Sequence, residues 1–154
     1  MRFDVAMDRD ANRQIINTNE SFKLESTWTF VGATTGAVGA HTLFTVTGNV
    51  LVNVFGICDT TLVGATATVA VGVTGNTAAL IASTAATNIV DGDIWVNANP
   101  AVGVQAIPST FILNDGADII LTVATAAVTA GAIDFYCLWR PLSSDANITV
   151  ATPA

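Results

Sequence analysis

Few residues in this 154-residue chain carry groups that do chemistry, and they are scattered: one His, two Cys and twelve acids. His41 opens an alternating segment and has no Cys, Asp or Glu close by in sequence. A triad or a zinc cluster therefore has no local start, and His41 reads as an ordinary strand or interface histidine. Cys58 and Cys137 each sit among apolar residues. They can bond only if their Cα atoms lie within about 7 Å; otherwise they act as small buried hydrophobes. Two acid pairs stand out, Asp91/Asp93 and Asp115/Asp118. Calcium needs several more oxygen ligands than either loop offers. Asp and Gly in these positions are also what tight turns require. No phosphate-binding glycine loop and no nucleophile elbow occurs. The expectation is a protein without catalytic residues, metal or cofactor.

The elements that would position these residues are β almost throughout. Thr, Val and Ile favour the pleated, half-buried surface of a strand. Residues 27–31 alternate, with Trp28 and Phe30 on one side, and 41–47 alternate again before a Gly48-Asn49 turn. Residues 50–58 put Val50, Val52 and Val54 on one face and Leu51, Asn53 and Phe55 on the other. Residues 59–65 read as a loop and 66–73 as a strand with Val69, Val71 and Val73 inward. Residues 78–84 read as a strand, although Ala and Leu also suit a helix. Short strands are expected at 94–97 and 106–113, then better ones at 118–126 and 133–140. In the last, Ile133, Phe135, Cys137 and Trp139 share one face and Asp134, Tyr136, Leu138 and Arg140 the other. Eight or so strands with Gly- and Asn-rich turns point to an all-β, antiparallel β-sandwich or jelly-roll-like single domain. Trp28, Trp95 and Trp139 alternate with small or polar residues and are expected to point into its core.

Composition narrows the function classes. Only 11% of residues are charged, against roughly a quarter in ordinary soluble domains. There are 25 Ala, 22 Thr and 18 Val. Five basic residues beside twelve acids cannot make the basic face that a nucleic-acid backbone needs. Residues 60–90 carry no charge, but Thr, Gly and Asn recur through them, so they do not read as a membrane span. Residues 1–10 contain three acids and no apolar run, unlike a signal peptide.

Charge also divides the chain. Residues 1–25 form a mixed-charge N-terminal arm, 26–141 the body, and 142–154 a polar tail. The body offers sheet faces of Thr and Ala, neither core-like nor well solvated. Uncharged edges invite pairing unless they are guarded or covered, so self-association is expected.

The phrases His-Thr-Leu-Phe-Thr-Val-Thr-Gly (41–48), Asn-Thr-Ala-Ala-Leu-Ile-Ala (76–82) and Asp-Ile-Trp-Val-Asn (93–97) resemble those of tailed-bacteriophage head decoration, or cement, proteins and related small virion proteins. The resemblance covers residues 41–140. It implies an all-β homotrimer on the outer surface of a virion capsid, with the major capsid protein as partner. No functional residue carries over from it. The arm is then the candidate grip on neighbours. Its charges of both signs, Arg2, Asp4, Asp8, Arg9, Asp10, Arg13 and Lys23, suit a contact that sets register. Two other readings stand beside this one: a carbohydrate- or receptor-binding module with Trp exposed along a groove, and a minor capsid or tail subunit.

Overall fold

The structure is a computed structural model and describes residues 21–152. The described residues form eleven strands: β1 (Phe22–Thr29), β2 (Gly39–Thr47), β3 (Val50–Val63), β4 (Thr68–Val73), β5 (Asn76–Ala85), β6 (Asp93–Trp95), β7 (Ala101–Val102), β8 (Phe111–Leu113), β9 (Ile119–Ala124), β10 (Ala130–Pro141) and β11 (Asn147–Val150). All pairings are antiparallel.

The strands make two sheets packed face to face. The first runs β1-β10-β3-β6-β7, with β8 also on β3; the second runs β11-β2-β9-β4-β5. The chain crosses between sheets from β1 to β2 to β3 to β4, and again from β8 to β9 to β10 to β11. That repeated crossing ties the two sheets into one antiparallel β-sandwich.

Alternation builds the core. Val50, Val52 and Val54 of β3 are buried, as are Ile133, Phe135 and Cys137 of β10 and Ile119, Leu121 and Val123 of β9. Each such aliphatic or aromatic side chain contributes about 1.5–3 kcal/mol when removed from water. All three tryptophans point inward: Trp28 and Trp95 are fully buried and Trp139 nearly so. The Trp95 ring meets the edge of Phe135 with centroids 6.1 Å apart. Its indole N–H donates to Thr84 Oγ1 at 2.9 Å, and that hydroxyl donates in turn to the Ala82 carbonyl at 2.9 Å.

Several boundaries differ from the sequence reading. Residues 22–25, expected in the arm, open β1 and pair with Trp139 to Tyr136 of β10. Residues 59–65, expected as a loop, carry β3 on to Val63. A bulge lets this happen: Ala130 pairs with Val63 and Ala132 with Thr60. Gly131 sits between them at φ +117°, where a side chain would run into the Leu62 backbone. Residues 142–154, expected as a polar tail, contain β11, whose Ile148 is buried under the sandwich. Only Phe111–Leu113 of the expected strand 106–113 is extended in a sheet.

The sheet edges have guards that composition did not reveal. β7 and β11 are short. β5 is broken by two register shifts against β4. β1 carries Lys23 and Glu25 on its outer face, 3.4 Å apart. Short, bulged or charged edges resist unwanted strand pairing.

Candidate functional site

The chemistry-bearing groups are spent on architecture. His41 Nε2 donates to the Ala37 carbonyl at 2.8 Å, and its ring leans on Trp28 with centroids 5.6 Å apart. Asp118 accepts the Val46 amide at 2.8 Å and Asp115 accepts the Gly48 amide at 2.8 Å. These carboxylates pin the turn between β2 and β3. Asp93 is buried and accepts the Val90 amide at 2.9 Å, closing its own turn. The Asp91 amide donates to Thr61 Oγ1. No group of three or more His, Cys, Asp or Glu side chains converges among the described residues.

Cys58 and Cys137 are both buried and free. They lie on adjacent strands but out of step. Cys58 faces Ile133 and Cys137 faces Val54, so four residues, about 13 Å of strand, separate them. Burial pushes the Cys58 thiol up to about 11 and the Cys137 thiol up to about 12.

What remains is surface, and the two outer faces differ. The outside of the second sheet is small-featured. Thr122 is flanked by Ala40 on β2 and Ala70 on β4, and Ile120 by Thr42 and Gly72. The small residue types are those expected from composition, but Ala70 and Ile120 are each only 6% exposed, so this part of the face is already covered within the chain. Thr122 Oγ1 is buried there with no hydrogen-bond partner among the described residues.

The outside of the first sheet carries large apolar groups in cross-strand rows. Ile112 of β8 faces Leu51 of β3. Phe55 of β3 faces Tyr136 of β10, and Ile57 faces Ile94 of β6. Phe55 and Tyr136 stack with centroids 5.3 Å apart. The Asn53 amide donates to the Pro108 carbonyl at 2.9 Å and to Thr110 Oγ1 at 3.0 Å. That ties the segment after β7 to the edge of this face. Val104 on that segment is 82% exposed, Ile107 is 63% exposed and Ile112 is 73% exposed. Exposed aliphatics singly mean little, but a contiguous apolar patch on a sheet face marks a contact surface.

The opposite rim of this face is polar. Lys23 lies over the Tyr136 ring, 5.9 Å from its centroid, and Thr27 donates to Asp134 at 2.6 Å. Burial, with Glu25 and Asp134 nearby, raises the Tyr136 phenol above its ordinary value. Lys23 is the one residue of the expected grip that lies within the described part. Arg2, Asp4, Asp8, Arg9, Asp10 and Arg13 lie outside the described residues. The sequence reading put Phe55 on the strand face opposite Val50, Val52 and Val54, and Tyr136 on the face opposite Phe135 and Trp139. It missed that β3 and β10 are neighbours, which brings the two rings together. The available signal was a large apolar residue at an outward position in each strand.

No helix among the described residues is long and apolar enough to cross a membrane. No protein-family model, no curated protein and no solved structure matches the chain.

Proposed function

We propose that this chain is a non-enzymatic structural protein of a virion, coating the outside of an icosahedral phage capsid as a homotrimer and stabilising it. The observation that carries the reading is the group of large apolar side chains on the outer face of the first sheet, Ile112, Leu51, Leu138 and the Phe55–Tyr136 stack, with Asn53 and Arg140 set among them. Such a face suits a broad, rigid protein surface. The buried thiols and amide-bound carboxylates favour a scaffold over a reaction site, and the strand phrases at 41–48, 76–82 and 93–97 favour a capsid coat. Threefold repetition would make modest contacts add up to firm attachment.

The carbohydrate-binding alternative predicts Trp28, Trp95 or Trp139 exposed along a groove; all three are buried. The test is occupancy on particles. Purified protein is mixed with capsids of the phage that encodes it and imaged by electron microscopy. Density at threefold positions on the outer surface is expected. Bare shells at saturating protein would overturn the reading, and density within the shell or tail would favour a minor subunit.

A further inference from the structure

The segment between β7 and β8 stands out from the body as an apolar knob. Residues 96–114 carry no charge. Gly103 turns the chain at φ +89°, and the Gln105 amide donates to the Asn99 carbonyl at 2.9 Å. At the far end Asn53 holds the Pro108 carbonyl. Tethered on both sides, the segment leaves Val104 and Ile107 exposed. The carbonyls of Val104, Gln105 and Ala106 accept no backbone amide among the described residues. A preorganised projection of this kind loses little freedom when it docks.

The described residues also form a hole. A cleft of about 670 Å³ opens where the two sheets part between β1 and β11, lined by Phe22, Leu24, Trp139 and Ile148 among others, with Ser144 at its rim. Phe22 faces between the sheets and stacks on Trp139 with centroids 4.9 Å apart, yet it remains 59% exposed. Trp139 is 8% exposed, and its indole N–H is buried with no acceptor among the described residues. A buried N–H in native proteins nearly always has a partner. The cleft therefore lacks two things, apolar side chains to cover Phe22 and a carbonyl for Trp139, and the knob carries both.

We infer that the segment 103–107 of one copy docks in the β1/β11 cleft of the next, head to tail. Val104 and Ile107 enter between the sheets, and a carbonyl of the segment accepts the Trp139 N–H. The contact is made by side chains, so it leaves the charged edge of β1 and the short edge of β11 unpaired. An uncharged segment brings no charge to be desolvated in the cleft. Topology selects a second copy. β1 is one edge of the first sheet, and the knob is tied to β3 on the far side of β10, so a chain cannot fill its own cleft. Register selects a closed ring. Trp139 pairs with Val52 and Leu138 with Asn53, the residue that tethers Pro108. Knob and cleft thus sit at one level along the strands. A rotation about an axis along the strands joins successive copies without a rise, and a head-to-tail contact of that kind closes.

This inference rests on the homotrimer in the reading above, and one set of measurements separates the two. The natural chain, Val104→Asp and Phe22→Asp are compared by light scattering across concentration, with circular dichroism as the control for folding. The natural chain should associate, and each variant should associate about 30-fold more weakly, as when a buried anchor is lost. In an equimolar mixture of the two variants one intact knob meets one intact cleft, so a dimer should form and grow no further. Mixing Ile107→Cys with Ser144→Cys under oxidation should link two chains, since Cys58 and Cys137 are buried and do not compete. An oligomer that forms no such disulfide, or that Val104→Asp leaves at full strength, would overturn the inference and leave the homotrimer standing. A mixture of folded variants that stays monomeric would also overturn the head-to-tail contact. A natural chain that is monomeric at every concentration would overturn both.

Discussion

Phe55 and Tyr136 face each other across β3 and β10, their rings 18° from parallel and 5.3 Å apart on the outside of the first sheet. An aromatic pair of this kind is worth about 0.5–1.5 kcal/mol beyond its buried area. Here the rings stand on a surface, so their larger use is in contact with something else. Phe55→Asp should cost about 1–3 kcal/mol, since it removes the stacked ring from mid-strand, and Ile112→Asp about 1 kcal/mol or less, since Ile112 is 73% exposed. The same changes should abolish particle binding. Thermal melts alongside capsid occupancy check both halves; occupancy unchanged in the double variant would remove this face from the contact.

The hydroxyl of Thr84 serves a buried tryptophan. Thr84→Val keeps the side-chain volume but strands the Trp95 indole N–H. The expected loss is about 1–3 kcal/mol, the cost of a buried donor left unpaired. Thr84→Ser, which keeps the hydroxyl, should lose less. Urea unfolding of the three proteins decides it, with an unchanged slope expected for each.

Asp115 and Asp118 reach back some seventy residues to hold the amides of Gly48 and Val46. Asp118→Ala and Asp115→Ala should each cost about 1–2 kcal/mol, in line with a charge-assisted bond to a backbone amide. Because these oxygens are engaged by amides, added calcium or a chelator should leave the melting temperature unchanged. A rise with calcium would mean that the carboxylates serve a cation instead.

The two thiols make stability sensitive to alkali. In the folded chain they ionise near 11 and 12, above the ordinary thiol value of 9.0. The unfolded chain therefore gives up these protons first as pH rises. Below about pH 8 both states hold them and these groups add no pH dependence; above 9 stability falls until the folded thiols ionise. Equilibrium unfolding between pH 7 and 11 should show this decline, reduced in Cys137→Ala relative to its own neutral-pH value. At pH 8 both thiols should resist alkylation until the protein unfolds.

Much of the sandwich was legible because strands announce themselves locally. The alternation of Val50, Val52 and Val54, and that of Ile133, Phe135, Cys137 and Trp139, is a property of neighbouring residues and predicts their burial directly. Boundaries set by distant partners were not legible. β1 begins at Phe22 because Trp139 is there to pair with it, and β3 runs past Asp59 because of the bulge at Gly131. Ile148 looked like part of a polar tail because nothing nearby in sequence shows that β11 lies along β2. The outer faces split in the same way. The Thr/Ala face was visible in composition alone, whereas the Phe55–Tyr136 stack needs two strands about eighty residues apart to become neighbours.

The pairing of β1 with β10 bears on how the protein is made. Thr27 meets Asp134 across 107 residues, and among the described residues β1 has no other sheet partner. A ribosome releasing about 5–20 residues per second delivers the tenth strand several seconds after the first. Throughout that interval the nascent chain presents the apolar face of β1 without its sheet partner, and Trp28 has only nearby groups such as the Thr35 carbonyl and the His41 ring to meet. Cells at high temperature, or depleted of the chaperones that meet nascent chains, should lose this protein during synthesis well before any loss from the finished pool.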